Sequence, residues 1–204
     1  ELAISSYLCR VKKSIQIERL TTMIERTVSK SITDDFKKEK IILIMGARQV
    51  GKTTLAHELA KGRQRVLHLN CDNYDDRADL EHQTSTELAA LLAGYDFVLI
   101  DEAQRVPDIG MTIKMIGDLK LPVPTVVTGS SSLELLEGIK EPATGRHIDY
   151  ELFPLSLPEL IAHNGRREEH RLLEQRLIFG FYPEVVTDLS DAKRTLMTLA
   201  NDYL

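Results

Sequence analysis

The sequence predicts an α/β domain built on a parallel sheet with helices on both faces. Two observations predict it. Residues 41–45 (IILIM) and 97–100 (FVLI) are short, continuous apolar runs, the mark of strands buried on both faces of a parallel sheet. Segments with helical spacing alternate with such strands along the chain, the order that builds parallel crossovers.

The elements follow in order. Residues 15–36 are predicted helical, with Ile17, Leu20, Ile24, Val28 and Ile32 at spacings of three and four. The charged turn 37–40 precedes strand 41–45, which ends at Gly46. Residues 52–60 are predicted helical, with Gly62 as C-cap. A short strand at 66–69 ends at Asn70, before a polar stretch at 72–79. Helix 85–92 has a capping-type start and closes at Gly94. Strand 97–100 runs into Asp101 and Glu102, and a loop through Pro107 leads to helix 111–119. Strand 125–128 then runs into Gly129 and three serines, with a helix expected at 132–137. Residues 147–152 read as a fifth strand. Helices at 158–163 and 168–179, a turn at 180–183 and a last helix at 191–204 complete the chain.

Composition narrows the function classes. The chain has 204 residues, 43% of them hydrophobic and 28% charged, enough for one full domain with a modest appendage. A net charge of −5 supplies no global attraction for nucleic acid or an acidic membrane, although a local basic patch around 166–171 stays open. The two cysteines, Cys9 and Cys71, are too few for a disulfide framework and lack metal-ligand spacing, so a reducing cytoplasm is expected. No apolar run reaches the roughly 18 residues of a membrane span. Lys12, Lys13 and Arg19 interrupt any signal-peptide core. Glu1 in place of Met, and a last helical pattern without a stop signal, are expected of a fragment, with Met23 a plausible native start.

Residues 46–53 read GARQVGKT and match G-x-x-x-x-G-K-[ST] at every fixed position. Between a buried strand and a helix, such a loop binds the phosphates of a nucleotide. Gly46 leaves the strand where a Cβ would hinder, and Gly51 lets the backbone approach the phosphates. The N–H groups of Gly46, Ala47, Arg48, Gln49, Val50 and Gly51 converge with the helix N-terminus on negative charge. Lys52 is expected to reach the β- and γ-phosphates, Thr53 to ligate Mg²⁺, and Thr54 to cap the α-phosphate side.

Residues 97–102 (FVLIDE) have the form of a Walker B strand. Asp101 is expected to hold Mg²⁺ and Glu102 to activate the attacking water. At the end of strand 125–128, Thr128 or Ser130 is the candidate γ-phosphate sensor, with a serine-rich turn as the plain alternative. Arg146 is the candidate arginine finger, with a surface salt bridge as its alternative. The aromatics of 180–183 (GFYP) are either adenine contacts or part of a helix-connecting turn.

Together, GARQVGKTT (46–54), VLIDEAQRVP (98–107), VTGSS (127–131), Gly145-Arg146, FPLSLPEL (153–160) and GFYPEVV (180–186) resemble a large bacterial and archaeal AAA+-type ATPase family. In that family a C-terminal domain follows whose character is unsettled, nuclease-like among the alternatives. The resemblance covers about residues 23–204. It implies a P-loop three-layer sandwich with strand order 5-1-4-3-2, a small helical subdomain after Phe153, and ATP with Mg²⁺ as ligands. It carries the Walker A residues onto Gly46, Gly51, Lys52, Thr53 and Thr54, and the Walker B acids onto Asp101 and Glu102. The sensor falls on the Thr128–Ser130 segment, the Gly-Arg element on Gly145 and Arg146, and the Gly-x-x-Pro turn on Gly180 and Pro183. Ala47 replaces a frequent proline, and Phe181 a common glycine.

The expected organisation is thus an extension at 1–22, an ATPase core at 23–152 and a helical subdomain at 153–204. The leading function is ATP hydrolysis that drives a conformational change in an attached domain or partner, with a homo-oligomer or a protein as candidate partners. A slow ATP switch and a nucleic-acid motor or loader are the alternatives; a phosphotransferase fits poorly, because Glu102 would activate water.

Overall fold

The computed structural model describes residues 23–130 and 143–203, which fall into two compact units. Among these residues, one unit comprises 27–130 and 143–153, and the other 23–26 together with 154–203. The extension 1–22 and the helix expected at 132–137 lie outside the described residues.

The first unit carries a five-stranded sheet ordered β2-β3-β4-β1-β5, the order the resemblance implied. The strands are β1 Ile41–Gly46, β2 Val66–Asn70, β3 Phe97–Asp101, β4 Thr125–Ser130 and β5 His147–Glu151. All pairings are parallel. The three central strands are buried nearly throughout; β1 and β3 meet this with continuous apolar runs, whereas β4 also buries Thr125 and Thr128. The edge strands β2 and β5 are half open, and there the sequence admits His68, Asp149 and Glu151.

Helices in this unit are α1 Val28–Asp35, α2 Lys52–Leu59, α3 Tyr74–Ala78, α4 Ser85–Leu92 and α5 Ile109–Asp118. Leu88 and Leu92 of α4 and Ile109, Ile113 and Ile116 of α5 share one core with Ile41, Leu43, Val98 and Ile100. The pleat turns Phe97 to the opposite face, where its ring meets that of Phe36 edge-on at 5.9 Å. α2 packs against β1 and β4. α4 starts with a full capping box between Thr84 and Glu87. The polar stretch 72–79 contains α3, which was not expected. Asn73 caps it by accepting from the Asp75 N–H at 3.2 Å.

The helix expected at 15–36 is shorter within the described residues. Residues 23–26 are not helical, and α1 begins at Val28. Tertiary contacts override the periodicity there. Ile24 packs on Leu155, Leu160 and Val186, and the Arg26 guanidinium pairs with buried Glu159 at 3.2 Å. Residues 23–26 therefore belong to the second unit, not to the ATPase core as expected from sequence.

That second unit holds α6 Leu157–Asn164, α7 Arg166–Arg171, α8 Leu173–Phe179, α9 Pro183–Thr187 and α10 Ala192–Tyr203. The single helix expected at 168–179 is two helices that meet at Leu172. Across the break, the Arg176 guanidinium forks onto the Glu169 carboxylate at 3.1 and 3.0 Å, both side chains almost fully buried.

Candidate functional site

Loop 46–53 leaves the C-terminal end of β1, where ligands of open α/β sheets bind. Its shape rests on three positions. A Cβ on Gly46 would collide with the Leu152 carbonyl oxygen and crowd the Val50 side chain at 3.2 Å. That carbonyl is held close because the Leu152 N–H donates to the Met45 carbonyl at 2.6 Å. Val50 is fully buried and anchors the middle of the loop. Gly51 precedes α2 at φ 94°, a conformation costly for a residue with a Cβ. Gln49 also takes a positive φ, 61°, without being glycine.

Lys52 opens α2, and its ammonium donates to the carbonyls of Gly46 and Ala47 at 3.0 and 2.8 Å. It is nearly inaccessible to solvent. Burial lowers its pKa from the ordinary lysine value, while the nearby Glu102 and Asp101 carboxylates oppose that shift. Arg48 and Gln49 lie exposed at the loop's rim.

The two acids at the end of β3 stand beside this loop. The Thr53 hydroxyl reaches the Asp101 carboxylate at 2.9 and 3.2 Å. Thr128, fully buried on β4, donates its hydroxyl to Asp101 and accepts the Glu102 N–H at 3.3 Å. Glu102 takes φ 53°, an unusual region for a non-glycine, and turns the chain sharply into the 3-10 turn Ala103–Arg105. Its carboxylate accepts from the Gln104 amide. Sequence reasoning missed the role of Gln104, although the Asp-Glu-x-Gln order was in view.

A hydroxyl and a carboxylate in mutual contact at a phosphate loop are hard oxygen donors that fit Mg²⁺. That ion takes one or two protein oxygens and fills its other positions with water and phosphate. Among the described residues there is no cluster of three or more histidine, cysteine or acidic side chains for a metal held by protein alone. Cys71 follows β2, and burial together with the neighbouring carboxylates pushes its thiol up to about 12, so it stays protonated and inert.

Arg146 lies elsewhere. Its carbonyl accepts the Ile41 N–H at 3.0 Å, which fixes it at the N-terminal end of β1. Five residue steps of strand, about 16 Å at ordinary strand rise, separate that end from Gly46. The guanidinium pairs with Asp118 at 2.5 Å and donates to the Thr144 carbonyl at 3.0 Å. The finger expected from sequence is therefore not brought to this chain's own loop, and the surface salt bridge describes it. One signal was available: a residue that precedes a strand of an all-parallel sheet lies at the edge opposite the ligand crevice.

The turn after α8 connects two helices of the second unit. Gly180 takes φ 76° and ψ −157°, a region open essentially to glycine. Phe181 packs on Leu155, Leu160 and Val186, and Tyr182 on Val185, Ala192 and Leu199.

A family model described as an AAA domain matches residues 38–161, more than half of the chain. The chain belongs to the AAA domain family. Two solved structures share the fold of this AAA domain. The Walker-type ATPase PABY2304 of Pyrococcus abyssi is 15% identical, with a TM-score of 0.59 over 89% of this chain and 73% of that one. The Aeropyrum pernix ORC1 protein, solved in complex with DNA, is 13% identical, with a TM-score of 0.50 over 73% of this chain and 50% of that one. The AAA domain chain thus matches about half the length of the ORC1 protein. No curated protein matches the sequence. No helix among the described residues is long and apolar enough to cross a membrane.

Proposed function

We propose that this AAA domain binds ATP with Mg²⁺ and hydrolyses its β–γ phosphoanhydride, and that the cycle drives a conformational change in an attached domain or partner in the cytoplasm. One observation carries the reading: the Thr53 hydroxyl of the phosphate loop and the Asp101 carboxylate of the acid pair are in hydrogen-bond contact, with Glu102 next in the chain. Loop N–H groups of residues 46–53 and the N-terminus of α2 bind the phosphates. The Lys52 ammonium, already poised on the loop carbonyls, is the cation for the β- and γ-phosphates, and Thr54 stands on the α-phosphate side. Thr53 and Asp101 would hold Mg²⁺, which when bound would offset charge on the phosphate oxygens. Glu102 orients a water and accepts its proton. The water oxygen bonds to the γ-phosphorus, the bond to the bridging oxygen breaks, and ADP and phosphate leave.

Thr128 serves a different purpose from the sensor expected of it. Its one proton is committed to Asp101, so it positions the acid pair. Ser130, half-buried at the end of β4, is the remaining sensor hydroxyl. Arg146 has no role at this chain's own phosphates in the reading.

The test is phosphate release by the purified protein, with ADP and any phosphorylated acceptor resolved, with and without DNA or RNA. Glu102→Gln should retain Mg·ATP binding and lose phosphate release by about 10²–10⁴-fold, the usual weight of a general base. Unaltered turnover in that variant would remove Glu102 from the role. A phosphorylated acceptor in place of free phosphate would make the protein a phosphotransferase.

A further inference from the structure

The ladder between β3 and β4 ends at the pair Ile100 and Val127, whereas β4 keeps its register with β1 out to Gly46 and Ser130. Beyond Ile100 the two strands are joined by side chains instead of main chain. Thr128 supplies one bridge, to the Glu102 N–H. Gln104 supplies the other. Its Nε2 donates to the Glu102 carboxylate, and its Oε1 accepts the Ser130 N–H at 3.2 Å.

The partners dictate which way this amide faces. An ionised carboxylate only accepts, and a backbone N–H only donates, so the Nε2 end must meet Glu102 and the Oε1 end Ser130. Few side chains satisfy both at once. A carboxylate lacks the donor, an aliphatic chain lacks both, and asparagine is a methylene shorter. The backbone beneath is well fixed. Ala103 and Val106 on either side of Gln104 are buried in the main core, and the Arg105 N–H closes the turn onto the Glu102 carbonyl at 3.0 Å.

We propose that Gln104 is a positioning residue for hydrolysis: it fixes the carboxylate of Glu102 and ties that carboxylate to the backbone at Ser130. The inference rests on the ATPase reading above, with Glu102 as base. Glutamate has three side-chain torsions, and a freely turning carboxylate would seldom face the water it must activate. Through the same bond, a shift of the main chain at Ser130, the sensor end of β4, moves the base. Gln104 thus makes the aim of Glu102 depend on what Ser130 meets.

Five proteins test this: wild type, Gln104→Ala, Gln104→Glu, Glu102→Gln, and Glu102→Gln combined with Gln104→Ala. Each is measured for Mg·ATP binding, single- and multiple-turnover phosphate release, and hydrogen exchange at the Ser130 amide. Gln104→Ala should lower kcat by about 10–100-fold, as loss of an orienting partner does elsewhere, with KM and ATP binding unchanged. Gln104→Glu keeps an acceptor for Ser130 and loses the donor to Glu102. It should lower kcat at least as far while preserving the slow exchange of the Ser130 amide that Gln104→Ala loses. The double variant should be no slower than Glu102→Gln alone, because a residue that acts only through Glu102 has nothing left to position. Wild-type turnover in Gln104→Glu overturns the proposal, as does a double variant slowed by the full factor of Gln104→Ala. An unchanged Ser130 exchange in Gln104→Ala overturns the link to β4. Wild-type protein that binds Mg·ATP but releases no phosphate defeats the hydrolysis reading itself, and the positioning role falls with it.

Discussion

The Thr53 hydroxyl lies 2.9 Å from an oxygen of the Asp101 carboxylate, joining the first turn of α2 to the end of β3 across 48 residues of sequence. β4, which lies between β1 and β3 in the sheet, contributes the Thr128 hydroxyl to the same carboxylate. Asp101 is therefore held by two hydroxyls before any cation arrives, so little ordering is left for the ion to impose.

This arrangement predicts a metal-selective defect. Thr53→Ala should raise the Mg²⁺ concentration needed for half-maximal phosphate release by about tenfold or more, the scale seen when an oriented metal partner is lost. Thr53→Ser keeps the hydroxyl and should restore the wild-type value. A Mg²⁺ titration of the three proteins at saturating ATP checks this; an unshifted curve for the alanine variant would take Thr53 out of the metal site.

Gly46 is predicted to be irreplaceable for a packing reason. A methyl there meets the Leu152 carbonyl, which cannot retreat without breaking its own residue's bond to Met45. Gly46→Ala should destabilise the sheet unit by roughly 1–3 kcal/mol, the usual cost of overpacking. Urea unfolding reads this as a lower midpoint at unchanged slope. An unchanged midpoint would mean that β5 yields at no cost.

The buried pair in the helical unit predicts a pH dependence. Burial alone would raise the Glu169 pKa, but the bonds from Arg176 and Asn164 outweigh it and hold the carboxyl below its ordinary value of 4.5. The charged form is favoured in the folded state. Its contribution is therefore fully present above pH 4.5 and is lost as pH falls from there through the folded-state pKa. Glu169→Gln leaves the Arg176 charge buried without its counter-ion and should cost about 3–5 kcal/mol at neutral pH. Thermal unfolding of both proteins from pH 7 down should show that difference shrinking below the carboxylate range. A constant difference would assign the loss to packing and not to the charge.

Much of the fold is legible in the chain because burial on both faces leaves a direct trace. Residues 41–45 and 97–100 have nowhere polar to point, so their apolar runs mark the central strands before any coordinate is known. The phosphate loop is legible for a related reason. Each fixed position of 46–53 answers a local demand of the backbone or of a phosphate, and local demands survive in local sequence. The break at Leu172 and the late start of α1 were not legible. A buried ion pair accompanies each, Arg176 with Glu169 and Arg26 with Glu159, and apolar periodicity contains no record of a charge pair.

By itself, then, the sequence determined an α/β sheet with a phosphate loop and an acid pair at strand ends, because strand burial and phosphate contact act over a few consecutive residues. Only the tertiary structure decided how the remaining polar side chains are used. It committed the Thr128 hydroxyl to Asp101 and set Gln104 between Glu102 and Ser130. It also put Arg146 at the far end of the sheet with Asp118. A hydroxyl, an amide or a guanidinium accepts many partners, and strand register selects among them.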